Sequence, residues 1–299
     1  MLSSQVFSSL YHKFAHYDGG LLFDFLSKHI PHIPSSEWKN RALYGGVYVN
    51  GLLVNQNQQL PIPASIEYYE PKYPIEEATN FFPAFSSDWI VYEDQFLLVS
   101  YKPAGLPTMP AKEQNKYSLR SYLDQYVGNA VHCPSRLDTS TQGLVIVSKD
   151  PRTHGLLQQV FEHKRIRKEY RFVTDAAVLW NHFEVNDPIG KSTVHPVLRC
   201  INGANAKSAH TRFEKIGVLK SGGTVIRALP TTGRTHQIRV HSSSHGFAIR
   251  FDKFYSSYTS IPSEPLCLLS YSMTLKHPVT EQTLVVEMPD RLLPGWIVD

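Results

Sequence analysis

Apolar residues change their period several times along the chain, and each change predicts an element. Leu22, Phe25, Leu26 and Ile30 recur at helical spacing after Gly20, and Pro31 stops the run. Ser35 and Ser36 offer an N-cap to a second short helix through Trp38, Leu43 and Tyr44, which Gly45 and Gly46 end. Val47–Val49 and Leu52–Val54 flank Asn50-Gly51, a hairpin signal because both turn residues tolerate positive φ. Two helices and a hairpin predict a small unit over residues 18–70. Pro71, Pro74, Glu76-Glu77 and Pro83, without periodicity, predict a linker over 71–88.

From 89 to 299 the pattern alternates strands with helices. A strand is expected over 95–101, ending in the turn Lys102-Pro103-Ala104-Gly105, and a helix capped by Ser118 and closed by Gly128. A buried strand is expected over 143–149, then Asp150-Pro151 as N-cap and N1 of a helix with Leu156, Leu157, Val160 and Phe161 on one face. Further strands are expected over 169–174 and 224–229, and much of 175–222 reads as loop-rich.

Composition narrows the class without naming it. The 299 residues are 42% hydrophobic and 19% charged, enough apolar material for a real core and too little charge for a disordered polyelectrolyte. With 30 basic against 26 acidic residues the net charge is only +4, so local clustering matters more than the sum. Three scattered cysteines, Cys133, Cys200 and Cys267, have neither metal-ligand nor redox spacing. Residues 1–13 lack the pattern of a signal peptide, and no apolar run is long enough to cross a bilayer. A reduced, cytoplasmic protein is expected.

Three segments look unlike ordinary core or loop. Ser135-Arg136-Leu137-Asp138-Thr139-Ser140-Thr141-Gln142-Gly143 sets an arginine, a carboxylate and hydroxyls directly before a buried strand. It reads either as a polar turn whose Asp bonds its own backbone or as a rigidly held reactive group. His163-Lys164-Arg165-Ile166-Arg167-Lys168-Glu169-Tyr170-Arg171 gathers positive charge at a helix end passing into a strand. It reads either as a solvated face complementing the helix C-terminus or as a phosphate-tracking strip with Tyr170 as a stacking platform. Thr232 to His241 packs donors around Gly233 ahead of a helix that Gly246 closes, a setting suited to an anion. His241 and His245, four apart, lack a third ligand of clear spacing, so no metal site is expected.

Together these segments resemble the RluA-type RNA pseudouridine synthases. Arg136-Leu137-Asp138 with Thr141 and Gly143 fits the family's first motif, Lys168 and Tyr170 its Lys-x-Tyr strand, and Gly233 to His241 its third motif without a gap. Weaker echoes are Lys102 to Leu106, Asp252 with Tyr255, and His277-Pro278. Two positions depart from the pattern: Ser135 stands where the family usually has His, and Gln142 where it usually has Ser. The first unit is similar to the S-four type RNA-binding module.

The resemblance implies an α+β fold, a mixed and largely antiparallel sheet flanked by helices and loops, over 89–299. It implies isomerisation of uridine to pseudouridine in ribosomal or transfer RNA, with no cofactor and no metal. Asp138 would be the nucleophile, Arg239 its ion-pair partner, Tyr170 a catalytic residue that gives the base a flat face and is the candidate to take the proton lost from the new carbon, and Arg136 the filler of the space left by a flipped nucleotide. Lys102, Lys164, Arg165, Arg167, Lys168, Arg234 and His236 would hold RNA. A monomer without an obligate protein partner or membrane attachment is expected. The departures around Asp138 motivate the alternative, a catalytically idle RNA-binding homologue. A carboxylate glycosidase would need a second acid that none of the three segments supplies.

Overall fold

The structure, a computed structural model, describes residues 7–16, 18–31, 33–43, 46–54, 56–71, 83–110, 118–192, 198–256 and 264–298. The chain divides into two compact units, residues 1–83 and 84–299. Of the expected linker, residues 72–82 lie outside the described residues. Residues 84–88 belong to the second unit, where Phe85 packs edge-on against Trp89 at 5.7 Å.

The first unit comprises β1 (Phe7–His16), α1 (Leu22–His29), α2 (Ser35–Leu43), β2 (Val47–Val49), β3 (Leu52–Val54) and β4 (Ala64–Pro71). Its antiparallel sheet runs β1-β4-β2-β3. Leu22, Phe25 and Leu26 form the buried stripe of α1, and α2 contributes Trp38, which meets Tyr68 edge-on at 4.9 Å. Asn50 and Gly51 take φ of 49° and 75°, as the hairpin signal requires. β1 lies ahead of residue 18, where the unit was expected to begin. As the edge strand of the sheet it needs no clean apolar alternation, and its Lys13 pairs with the buried Glu67 at 2.9 Å.

In the second unit β5 (Ile90–Glu93) and β6 (Leu97–Lys102) precede α3 (Leu119–Val127), β7 (Gln142–Ser148), α4 (Pro151–Glu162) and β8 (Ile166–Thr174). Then come β9 (His182–Val185), β10 (Ile189–Lys191), β11 (Arg199–Ile201), β12 (Ala204–Lys207), β13 (Thr211–Val218) and β14 (Thr224–Pro230). The last elements are α5 (Gln237–Ser244), β15 (Leu268–Lys276) and β16 (Thr283–Glu287). Among the described residues the main sheet runs β5-β6-β7-β15-β8-β14-β13-β9, with β16 on β15. Every pairing is antiparallel except β7 with β15. The fold is thus α+β with a largely antiparallel sheet. The expected caps are present: Ser118 Oγ accepts from Ser121 N at 3.1 Å, and Asp150 Oδ1 accepts from Arg152 N at 2.7 Å.

Two expectations need correction. The 175–222 region is not loop alone: between its loops lie the strands β9 to β13. Its strands are short or present one face to water, so charges break up the apolar signal; β13 alternates buried Thr211 and Phe213 with Arg212 and Glu214. β8 begins at Ile166, three residues earlier than expected, so Arg167 lies within the strand. Side chains alternate across a sheet. Phe172 and Tyr170 therefore face the core built on Phe213, Ile226, Ile238 and Phe247, while Arg167, Glu169 and Arg171 face the other way. There Arg171 and Arg227 both pair with Glu169, at 2.9 and 3.3 Å, and Arg227 pairs with Glu214 at 3.1 Å.

Gly143 sets how closely β7 approaches β15. It has φ of 118°, and an added Cβ would stand 2.3 Å from the Ser270 carbonyl oxygen. Ser270 is also the cross-strand neighbour of Tyr170, so this contact aligns the end of the Asp138 loop with β8. Gly143→Ala is expected to cost about 2 kcal/mol or more, read as a lowered thermal midpoint of the full chain. Gly217→Ala, with nothing within 4 Å of the new Cβ, is the control. Equal midpoints for the two variants would contradict this account.

Candidate active site

A cleft of about 460 Å³ opens between the Asp138 loop, the end of α4 with the start of β8, and the turn leading into α5. Its lining brings together Arg136, Asp138, Lys164, Lys168, Tyr170, Arg234, His236 and Arg239. Arg165 and Arg167 are not among the lining residues, and the strand alternation puts Arg167 on the opposite face of the sheet. The expected basic strip is thus divided by the geometry of β8.

The Asp138 loop is held from below by backbone contacts. Thr108, buried, brackets Leu137: its hydroxyl donates to the Leu137 carbonyl at 2.9 Å and accepts from the Leu137 N–H at 3.1 Å. Gly105 N donates to the Thr139 carbonyl at 2.8 Å. Lys102 completes the clamp. Its ammonium, fully buried, donates to the carbonyls of Pro103, Leu106 and Thr139 at 3.0, 2.7 and 3.1 Å. Burial pushes its pKa down to about 7, against the pull of Asp138. Lys102 was expected to touch RNA; with all its protons committed to carbonyls and no exposed surface, it is a support of the loop instead.

Asp138 projects from this loop with its side chain 25% exposed. Arg239 Nη1 donates to its Oδ2 at 3.4 Å, and His236 Nε2 lies 3.8 Å from the same oxygen. Burial pushes the carboxyl up, but His236 (charged only below its own titration at about 4, where the carboxyl also titrates), Arg239 and Lys102 together pull it further down, so it stands below the ordinary carboxylate value. Asp138 is ionised at neutral pH.

The expected Arg239–Asp138 contact is present, but it is the weaker of two. Arg239, buried, gives its Nε and Nη2 to Oδ2 and Oδ1 of Asp252, both at 2.8 Å. Asp252, itself buried, also accepts from the backbone N–H groups of Phe254 and Tyr255 at 3.0 and 3.2 Å. The guanidinium is flanked by the rings of Phe254 and Tyr255, with its carbon 5.4 and 5.1 Å from their centroids. Sequence reasoning gave Asp252 no role here, because 13 residues of sequence separate the pair and no local periodicity joins them. The signal available was the weak family echo of Asp252 with Tyr255.

His236 was expected on phosphates. Its ring is instead only 8% exposed and pushed by burial down to about 4, so it is neutral at working pH and bonds the Tyr255 hydroxyl through Nδ1 at 2.7 Å. Tyr170 is raised by burial to about 12 and stays a neutral phenol. Lys168 lies 4.8 Å from the Phe161 ring centroid and is lowered by burial to about 8. In the turn before α5, Arg234 donates Nε to the Ser208 carbonyl at 2.9 Å. Its backbone N–H is taken by the Gln237 side chain, which also accepts from Thr232 Oγ1 at 2.8 Å. This turn is locked by internal bonds. His241 and His245 bond Thr211 and Asp187, tying α5 to the segment after β9. Of the two departures from the family pattern, Ser135 lines the cleft. Gln142 does not line it; it is buried and accepts from the Tyr101 hydroxyl at 3.1 Å.

Comparison with known proteins adds to this geometry. The family model described as RNA pseudouridylate synthase matches residues 96–244. The chain is 30% identical over 204 residues to the dual-specificity RNA pseudouridine synthase RluA of Haemophilus influenzae, covering 65% of this chain and 90% of that one. It is 28% identical over 294 residues to the ribosomal large subunit pseudouridine synthase C of Vibrio cholerae, covering 91% and 90% of the two chains. The solved structure of human RNA pseudouridylate synthase domain containing 1 shares the fold, with a TM-score of 0.58 at 24% identity over 69% of this chain and 84% of that one. Motifs, fold and relatives agree: the chain belongs to the RNA pseudouridylate synthase family.

Proposed function

We propose that this protein converts specific uridines of structured RNA, ribosomal or transfer, to pseudouridine, with Asp138 as the nucleophile. The observation that carries the reading is an ionised carboxylate at the floor of an open cleft, beside a guanidinium that a second carboxylate holds in place. In the isomerisation the N1–C1′ bond breaks, the uracil turns, C5 bonds to C1′, the C5 proton leaves and N1 gains one. No electron is exchanged with an outside group, so the reaction asks for no cofactor. It asks for a carboxylate that can act at sugar or base while the base is detached.

A stacked uridine must be flipped into the cleft, at a cost of about a few kcal/mol. Arg136, exposed on the rim two residues before Asp138, is suited to fill the vacated space. The Tyr170 ring offers a stacking face worth about 1–3 kcal/mol. Lys164, Lys168 and Arg234 line the cleft and Arg165 adjoins it in sequence; these supply the positive surface for phosphates. The first unit, residues 1–83, would add RNA contact as a small binding module to a catalytic domain over 84–299. We place the protein in the reducing cytoplasm, acting as a monomer, in keeping with its free cysteines.

Three outcomes test this reading. Asp138→Asn should bind RNA within about twofold of wild type yet lose at least about 10⁴-fold in turnover, measured by filter binding and by chemical mapping of pseudouridine. Normal turnover in that variant ends the nucleophile assignment. The rate should hold as pH falls to the ordinary carboxylate range, because Asp138 titrates below it. Arg239→Gln leaves burial less opposed, so the acid limb of its pH–rate profile should move to higher pH; Arg239→Lys, which keeps the charge, should slow the reaction without that displacement. Lys164→Ala should weaken RNA binding and reduce the slope of log K against log salt by about one. Arg167→Ala, on the opposite face of β8, should do neither, and an equal effect of the two would remove the cleft as the RNA path.

A further inference from the structure

His236 opens α5 with φ of 59°, in the left-handed region where Asn, Asp and His are the commoner non-glycine residues. Its ring is packed rather than free: Phe254 stacks on it at 6.2 Å, and Tyr255 meets it edge-on at 5.6 Å. The Tyr255 oxygen lies 2.7 Å from Nδ1 and accepts from the backbone N–H of Arg199 at 2.9 Å. Among the described residues, Nδ1 is the acceptor within reach of the Tyr255 hydroxyl proton. If Nδ1 carried a proton, that hydroxyl proton would be left without an acceptor in a largely buried place. The hydroxyl therefore donates to Nδ1, and the ring's own proton sits on Nε2.

Nε2 is the atom facing Asp138, 3.8 Å from Oδ2, the same oxygen that receives Arg239 Nη1 at 3.4 Å. Among the described residues no donor meets Oδ1. The two oxygens of the carboxylate are thus in different surroundings. We propose that His236 is a positioning residue: a neutral imidazole, its proton fixed on Nε2 by Tyr255, that with Arg239 claims one oxygen of Asp138 and leaves Oδ1 to the substrate. The proposal rests on the reading of Asp138 as the reacting carboxylate. The charged groups acting on the ring are Asp138 and Asp252, which favour its cation, and Arg239 and Arg199, which oppose it; burial decides in favour of the neutral form. At 3.8 Å the N–H is a dipole directed at the oxygen rather than a hydrogen bond. Such contacts commonly shorten when substrate closes a site.

The test combines single-turnover kinetics on a transcript that the wild-type protein modifies with 15N spectra of the imidazoles. His236→Ala should slow pseudouridine formation about 10–100-fold, with RNA affinity within about twofold. His236→Gln, which restores an N–H donor at similar reach, should recover most of that loss. The wild-type His236 signals should show a bare Nδ1 and a protonated Nε2, and Tyr255→Phe should turn them into a mixture of tautomers. A wild-type rate in His236→Ala, a Gln variant as slow as Ala, or a proton found on Nδ1 in the wild type would each overturn the proposal. Asp138→Asn run alongside separates the two readings. If it is inactive while His236→Ala is normal, only the positioning role fails; if it is active, the reading of Asp138 fails.

Discussion

The buried pair of Arg239 and Asp252 is the interaction on which the rest of the cleft depends. Taking both charges out of water costs several kcal/mol per ion before their attraction is counted, so geometry decides whether the pair is tolerated. Here it is good: two parallel bonds of 2.8 Å join guanidinium and carboxylate, and two backbone N–H groups occupy further lone pairs of Asp252. The pair ties the first turns of α5 to the 252–255 turn. It also fixes the plane of the guanidinium, so that Nη1 points at Asp138. A lysine there would supply charge without that plane.

Asp138 owes its state to a balance of these neighbours. Burial alone would raise its pKa and protonate it; a fully committed arginine would bind it tightly and blunt it. Arg239 does neither, since Asp252 holds its other two nitrogens and the remaining contact is 3.4 Å. Below the loop, Thr108 and Lys102 hold the backbone of residues 137–139 through bonds to carbonyl and amide groups.

Much of the fold was legible from the chain. Local signals succeeded where the physics is local: Ser118 and Gly128 bound α3, Asp150-Pro151 starts α4, and Asn50-Gly51 turns the first hairpin. They failed for β1 and for β9 to β13, where exposed or edge strands carry charges that hide the alternation. The site was legible in its parts through the family resemblance, since Asp138, Tyr170 and Arg239 line one cleft. What a linear reading assigned wrongly were the buried polar residues. Lys102 and His236 look in sequence like surface cations, and only the enclosing fold shows that one clamps three carbonyls and the other is a neutral ring. Arg167 failed for a different reason: β8 begins three residues early and takes Arg167 in, so strand alternation puts it with Glu169 and Arg171 on the face opposite Tyr170.

The central claim is that these surroundings keep the cleft carboxylate charged. The direct measurement is a pH titration of the side-chain carboxyl 13C resonance of Asp138 in the intact protein, assigned by its loss in Asp138→Asn. The account predicts a midpoint below the ordinary aspartate value of about 3.9, moving upward in Arg239→Gln. A wild-type midpoint above that value would contradict it, for burial would then outweigh the neighbouring positive charge.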